Sequence, residues 1–238
     1  MKYLSNRNGF LGVDNKFNFK EKVVVVPFGL EKTVSYGGGT RNGPKEIIKA
    51  SHQVELYDEE LNCEPYKKIG IKTLKPFKIH RNIKKALEKM SNINKEILDK
   101  RLFPITFGGE HSITPGCIYP FVKKYKKICL LHFDAHADLR NSYNGEKFSH
   151  ASAIRRCLDH KNISLISFGI RNISESEIPF LKKNSVKKDS LIETAYNNDV
   201  PIFCPAFTDS SAGFGLVMHQ EKNPKKHMTI DSIREFRE

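Results

Sequence analysis

The sequence LHFDAHAD, residues 131–138, decides how this chain is interpreted. An apolar run typical of a buried strand leads into Asp134, His136 and Asp138, which occupy alternate positions. Side chains two residues apart in an extended chain point to the same side, so these three groups can converge on one point. Two carboxylates buried together require a cation or a dense hydrogen-bond network. Mixed His and Asp ligands suit Mn, Zn or Fe better than Ca or Mg, and the alternative is a polar loop of chance composition.

Two further segments carry histidines in similar positions. FGGEHSIT, residues 107–114, follows an apolar stretch, and its glycines allow a sharp turn that brings His111 towards a cleft. KFSHASAIRR, residues 147–156, places His150 at a predicted helix start, with Ser149 as the cap. A single histidine is more often a structural residue than a ligand, but three such segments together indicate one shared site.

Short apolar runs alternate with helical patterns along the chain. This alternation predicts an α/β fold of three layers, a mostly parallel sheet with helices on both faces. The metal-binding motifs all follow strand ends, where open α/β sheets bind ligands. The predicted strands are 23–28, 102–107, 128–133, 164–169 and 200–206. The predicted helices are 44–51, 81–99, 115–125, 150–159, 174–184 and 190–197, and residues 212–220 and 229–237 are candidates for two more.

In this order the three segments resemble the ureohydrolase family, which includes arginases, agmatinases and formiminoglutamases. The likeness is strongest to the agmatinases of archaea and some bacteria, and it extends to residues 23–51 and 164–183. It implies an arginase-like fold and a hydrolase of a guanidino compound, with agmatine as the favoured substrate and putrescine and urea as products.

The resemblance also assigns site residues. It implies that His111, Asp134, His136 and Asp138 match four of the six ligands that hold two Mn ions in this family. It implies that His150 lies beside the substrate as a catalytic proton shuttle or a substrate contact. Guanidinium is a poor electrophile, and a metal ion can provide the nucleophile by lowering the pKa of bound water to about 7. An imidazole that titrates near neutrality can then deliver a proton to the departing amine.

The family's second acidic motif, of the form Asp-x-Asp, has no counterpart after residue 183. Because one of the missing carboxylates bridges the two metals, we expect one firmly held Mn²⁺ rather than two, and impaired activity. Asp209, which follows the predicted strand 200–206, is the one candidate for a replacement.

Residues 187–238 resemble an internal piece of deoxyhypusine synthase, an enzyme that uses NAD to move an aminobutyl group from spermidine. The run VPIFCPAFTDSS, residues 200–211, is the specific part, and Asp209 and His219 match positions at that family's pocket. A piece of this size cannot build the whole pocket. The alternative functions are therefore an inactive or regulatory fusion remnant, or NAD-dependent aminobutyl transfer only with a complementing chain.

Charge changes at the same point. Residues 187–238 have a net charge of −1, whereas residues 1–186 carry +14. We therefore divide the chain into an incomplete ureohydrolase-like domain, 1–186, and a synthase-like segment, 187–238. A gene fusion, a deletion and an assembly artefact would all leave this pattern. We expect the apolar strand of the tail to add to the sheet edge beside 164–169, because an exposed strand of this kind would aggregate.

Composition narrows the remaining function classes. No apolar run reaches the roughly 18 residues of a membrane span, and no signal pattern is present, so no membrane association is expected. Five scattered cysteines are typical of reduced thiols in a cytoplasmic protein. The net charge is +13, but the basic residues are mostly lysines in pairs and no nucleic-acid-binding motif occurs, so no nucleic-acid partner is expected. The expected partner is the guanidino substrate, and the resemblance suggests a homo-oligomer.

Overall fold

The structure, a computed structural model, describes residues 1–13, 21–183, 202–207 and 213–218. It has an α/β fold built on one seven-stranded sheet in the order β2-β1-β3-β7-β6-β4-β5. All neighbouring strands are parallel except β7, which is antiparallel to β3 and to β6. The strands are β1 Glu21–Phe28, β2 Gly70–Thr73, β3 Phe103–Gly108, β4 Ile128–Phe133, β5 Ile163–Phe168, β6 Ile202–Phe207 and β7 Gly213–Met218.

Five α-helices connect or cover these strands within the described residues. They are α1 Gly43–Ala50, α2 Ile83–Asp99, α3 Thr114–Lys124, α4 Ala153–Cys157 and α5 Ile178–Lys183. Helices α4 and α5 are preceded by 3-10 turns at His150–Ser152 and Glu175–Glu177. Among the described helices, none is both long and apolar enough to cross a membrane.

Strand β1 is buried on both faces. Its valines Val24, Val25 and Val26 are fully buried, as expected for a central strand of a parallel sheet. Val24 and Val26 pack into the large core cluster that includes residues of α2, whereas Val25 packs with Ile48 of α1 on the opposite face. The sheet is therefore covered by helices on both sides, which confirms the three-layer prediction.

Helices α2 and α3 form the main cover of one face. Apolar residues recur along one side of α2, and its N-cap Asn82 accepts a hydrogen bond from the backbone N–H of Lys85 at 3.1 Å. Gly116 of α3 lies so close to α2 that a Cβ atom there would be 2.8 Å from the carbonyl oxygen of Leu87. The two helices consequently pack with almost no space between their backbones at this point.

Strands β6 and β7 form an antiparallel hairpin in the middle of the sheet. β6 pairs with β4, with Phe133 opposite Ala206, and β7 pairs with β3, with Phe107 opposite Phe214. The expectation that the tail strand adds beside 164–169 was wrong, because β6 pairs with β4, and among the described strands β5 pairs with β4 alone. Without the hairpin, β3 and β4 would each have one unpaired edge. The hairpin pairs with both edges and so satisfies their backbone N–H and C=O groups.

The other predicted elements within the described residues agree with the structure to within a few residues, with four exceptions. The short strand β2 was not predicted. The candidate helix 212–220 was wrong, since residues 213–218 form β7. The predicted helices 150–159 and 174–184 are α4 and α5, each preceded by a 3-10 turn. The predicted helices 190–197 and 229–237, and the residues Asp209 and His219, lie outside the described residues.

Candidate functional site

The candidate site lies at the carboxyl ends of β3 and β4. Strand β3 is followed by Gly109, Glu110 and His111, and β4 is followed at once by Asp134. The turn after β3 crosses the chain that follows β1, and a Cβ atom at Gly109 would lie 2.0 Å from the carbonyl oxygen of Leu30. Only glycine fits there, so this close crossing fixes the path that leads to His111.

Four side chains meet at this edge of the sheet: His111, His132, Asp134 and Asp138. Each offers one ligand atom, and these atoms all lie within 4.8 Å of one another. His111 Nδ1 is 2.6 Å from Asp138 Oδ2 and 3.4 Å from Asp134 Oδ2, and His132 Nε2 is 3.4 Å from the same Asp134 oxygen. Two imidazoles and two carboxylates form a donor set suited to Mn²⁺ or Zn²⁺.

Burial sets the charge states in this group. Burial opposes ionisation of Asp134, but the nearby imidazoles of His132 and His111 and a hydrogen bond from the backbone N–H of His136 lower the pKa of its carboxyl below the usual value. Burial also lowers the pKa of His132, which is completely inaccessible, although Asp134 partly offsets this effect. The carboxylate is therefore ionised and the imidazole of His132 neutral, the protonation states that a metal ligand needs.

His136 lies outside the group of four. Its side chain is 51% exposed, and its Nδ1 is 3.5 Å from Asp134 Oδ1. It lines the cleft above the group, whereas His132 lies beneath Asp134 on the buried side. The two histidines thus approach Asp134 through different oxygens, and each offers an imidazole nitrogen close to the same carboxylate.

Asp138 is held by its backbone. Its φ angle of 50° lies in the left-handed region, which is uncommon for a residue other than glycine. Its carbonyl oxygen accepts a hydrogen bond from the backbone N–H of Arg155 in α4, and the next residue, Leu139, donates its N–H to the buried carboxylate of Glu177 at 2.7 Å. These contacts keep the Asp138 carboxylate turned towards His111.

His150 stands at the start of the 3-10 turn that leads into α4. Ser149 caps this turn by accepting a hydrogen bond from the backbone N–H of Ala151 at 3.2 Å, as predicted. Tyr143 meets the imidazole edge-on, with ring centroids 5.5 Å apart. Burial lowers the pKa of His150, an effect that the charges of Asp138 and Glu110 partly offset. The imidazole is therefore neutral at pH 7 and able to accept a proton.

The glycine-rich loop after β1, residues 31–41, forms the facing wall of the cleft. The Glu31 carboxylate accepts hydrogen bonds from the backbone N–H groups of Gly39 at 2.6 Å and Arg41 at 3.1 Å, and from the Thr40 hydroxyl. The hydrogen bond from the Arg41 backbone, partly opposed by burial and supported by the Gly39 and Thr40 bonds, lowers the pKa of Glu31. Glu31 therefore closes the loop on itself.

Between the two walls lies a cleft of about 660 Å³. It is lined by His111, Asp134, Asp138 and His136 on one side and by His150, Ser35 and Tyr36 on the other. All five residues that the sequence identified therefore line one cleft, and three of them, His111, Asp134 and Asp138, meet directly. His132 was missed. Its position two residues before Asp134 on the same strand face is the signal that could have found it.

A family model described as the arginase family matches residues 21–195. The agmatinase of Bacillus cereus is 34% identical to this chain over 191 residues, which cover 77% of this chain and 64% of that protein. The crystal structure of agmatine ureohydrolase from Thermoplasma volcanium has a TM-score of 0.62 and 27% identity, and the match covers 77% of this chain and 66% of that one. The chain spans 54% to 64% of the length of the curated relatives of this type that it matches.

A second match is short and much closer in sequence. A deoxyhypusine synthase-like protein of Coxiella burnetii is 75% identical over 52 residues, which cover 22% of this chain and 15% of that protein. The two kinds of relative therefore match unequal shares of the chain.

Proposed function

This chain belongs to the arginase family of ureohydrolases, and we propose that it is a metal-dependent hydrolase that releases urea from a guanidino compound, with agmatine as the favoured substrate and putrescine as the second product. The observation that carries the proposal is the His and Asp group in the same cleft as a neutral histidine. The agmatinases among the relatives support the choice of substrate.

We assign the metal to His111, Asp134, His136 and Asp138, with one Mn²⁺ held more firmly than any second ion. The positions of His111, Asp134 and Asp138 support this assignment, since two carboxylates within 3.4 Å of one imidazole nitrogen need added positive charge. His136 lies apart from these three, with its Nδ1 3.5 Å from Asp134 Oδ1. His132 is the other imidazole within reach of Asp134. When bound, a divalent ion makes water a nucleophile at neutral pH by lowering its pKa.

His150 is proposed as the proton carrier. Its pKa is lowered by burial, so the neutral ring can take a proton from the attacking water and deliver it to the departing amine. Tyr143 packs on the ring edge and limits its rotation. The ring thus stays on the cleft wall in one orientation.

The test is urea release from agmatine by the full chain with Mn²⁺, combined with metal analysis after dialysis. The proposal expects Mn²⁺-dependent urea release and about one retained ion per chain. Urea release equal to that of the Asp134→Ala variant would contradict it, and so would a dialysed protein without metal. Asp99→Ala, an exposed carboxylate on α2, is the matched control that keeps both properties.

One residue favours a second candidate substrate class, a guanidino compound with an acidic tail. Arg140 lines the cleft, and its guanidinium lies 5.1 Å from the centroid of the Tyr143 ring. In the described part of the chain, no carboxylate forms an ion pair with it. A positive group at this point attracts a carboxylate and repels the ammonium group of agmatine.

Agmatine and 4-guanidinobutanoate distinguish the two candidates because they differ only in the charge at the far end. Agmatine as the substrate predicts that the preference for agmatine rises in Arg140→Gln. A substrate with an acidic tail predicts that the unmodified chain prefers 4-guanidinobutanoate and that Arg140→Gln loses this preference. Arg171→Gln, on the loop after β5, serves as the control for lost positive charge.

We further propose a turnover below that of complete family members, because the second acidic motif is missing from the sequence after residue 183. The division of the chain near residue 187 is supported by the change in charge and by the short synthase-like match. A cytoplasmic location is supported by four free cysteines. Membership of the family supports a homo-oligomer.

A further inference from the structure

Two hydroxyl side chains of the glycine-rich loop contact both nitrogens of His150. Ser35 Oγ is 3.0 Å from Nε2, and Thr33 Oγ1 is 3.1 Å from Nδ1. The backbone N–H of His150 also donates to Thr33 Oγ1, at 2.9 Å. Thr33 therefore holds both the backbone and the ring of His150.

Thr33 is in turn bound by a buried carboxylate. Glu110 is only 2% exposed. Its Oε2 accepts the backbone N–H groups of Lys32 at 2.6 Å and Thr33 at 2.7 Å, and its Oε1 accepts the hydroxyl of Thr33 at 2.9 Å. Ser112 donates its hydroxyl to the same Oε1. Four donors surround this carboxylate, so both of its oxygens act as acceptors.

The donor count decides the tautomer of His150. The single hydroxyl hydrogen of Thr33 is donated to Glu110 Oε1, so it is not available to His150. Thr33 Oγ1 must then accept from His150, and the hydrogen of the neutral ring lies on Nδ1. Nε2 carries the lone pair and accepts the hydroxyl hydrogen of Ser35 at the exposed side of the loop.

We propose that Glu110 is a positioning residue for His150 and acts through Thr33. The chain of hydrogen bonds runs from the Ser35 hydroxyl to Nε2, from Nδ1–H to Thr33, and from the Thr33 hydroxyl to Glu110. It fixes Nε2, which lies towards the cleft, as the atom that takes up and returns the proton. The inference rests on the proposed function only in the role of His150 as proton carrier.

A purely structural role for Glu110 predicts something different. Its bonds to the N–H groups of Lys32 and Thr33 tie the loop to the turn after β3 whether or not the Thr33 hydroxyl is present. Thr33→Val removes only the hydroxyl and keeps the backbone bond to Glu110. Thr33→Ser restores the hydroxyl. These two variants separate tautomer control from loop anchoring.

The experiment is histidine ¹⁵N NMR on the full chain loaded with Zn²⁺, which avoids the broadening caused by Mn²⁺. The His150 signals are identified by their loss in His150→Gln. We expect the Nδ1–H tautomer in the unmodified chain and in Thr33→Val the Nε2–H tautomer, with Thr33→Ser like the unmodified chain. An Nε2–H tautomer in the unmodified chain, or no change in Thr33→Val, would overturn the proposal.

A kinetic measurement adds a second readout where urea release is detected. Loss of one hydrogen bond to a ring that becomes charged should lower kcat in Thr33→Val roughly tenfold, with KM within about twofold. Thr33→Ser should stay within about twofold of the unmodified chain. A chain that shows the expected tautomers but releases no urea would contradict the proposed function and leave the role of Glu110 intact.

Discussion

The two walls of the cleft are held together by different interactions. At the loop wall, Glu31 of the loop and Glu110 of the turn after β3 each accept hydrogen bonds from backbone N–H groups and hydroxyl groups, so their charges are satisfied within the protein. On the wall after β4, Asp134 and Asp138 both approach His111 Nδ1, and two negative groups share one imidazole. The carboxylates at the loop wall need no further partner, whereas a bound cation would stabilise the two carboxylates of the other wall.

The carboxylates of the two walls therefore have different roles, one set in anchoring the loop and the other in binding an ion. A carboxylate surrounded by backbone donors is an anchor with little remaining affinity for an ion. Carboxylates that face imidazoles keep free lone pairs and can bind a metal. The acidic side chains of the two walls are therefore not equivalent, although all of them carry a carboxylate.

The largest expected effect comes from a substitution in the wall after β4, which carries the proposed metal ligands. Asp134→Ala removes the carboxylate that contacts His111, His132 and His136, so the affinity for Mn²⁺ should fall by more than roughly 100-fold. Isothermal titration with Mn²⁺ measures this change. Amide exchange at Gly39 and Arg41 should remain slow, since Glu31 is untouched, and fast exchange there would mean that the two walls are not independent.

Removal of the proton carrier should give the next effect. His150→Ala should lower the turnover rate by roughly 10²–10³-fold while the metal content stays the same. Steady-state urea release and metal analysis of the same sample measure both quantities. His160→Ala, which stacks on Tyr119 outside the cleft, is the matched control. An unchanged turnover rate would make His150 a structural residue.

Acid should loosen the two walls at different pH values. Metal affinity should fall below pH ~6, as the imidazole ligands become protonated. Glu31 has a pKa lowered from 4.5, so it stabilises the loop above that pH and loses this contribution as the pH falls through its folded value. Amide exchange at Gly39 should therefore stay slow at pH 5. Loss of metal affinity and of slow amide exchange at Gly39 at the same pH would contradict the difference between the two walls.

The smallest expected effect lies in the core beneath the walls. Burial raises the pKa of Cys117 to about 12 and that of Cys129 to about 11, whereas Cys63 is only half-buried. At pH 8, alkylation should thus modify Cys63 first and leave the two buried thiols unchanged, in Asp134→Ala as well. Mass spectrometry of the labelled peptides tests whether the loss of the Asp134 carboxylate leaves the core intact.

Strands with strong local patterns could be predicted from the sequence. The valines of β1 and the apolar run of β4 are buried on both faces, so four or more apolar residues in succession marked them clearly. The strand β2 has only four residues and a mixed pattern, which no local rule distinguishes from a loop. The place of β6 depended on which strand edges remained open, and this property belongs to the assembled sheet.

The candidate site divides in the same way. Asp134 and Asp138 converge with His111, as their spacing and the position of the glycine turn suggested. His132 was missed because a histidine within an apolar run resembles a core residue. The link from Glu110 to His150 through Thr33 joins three segments that are far apart in the chain, and only the fold brings them together.

The central hairpin has a consequence for the order in which the molecule is made. Strands β3 and β4 are synthesised before their pairing partners β7 and β6. Until residue 218 emerges, the nascent chain can hold only two half-sheets, each with an open edge that other chains could join. The two halves of the sheet beneath the cleft are therefore joined only after residue 218 has been synthesised.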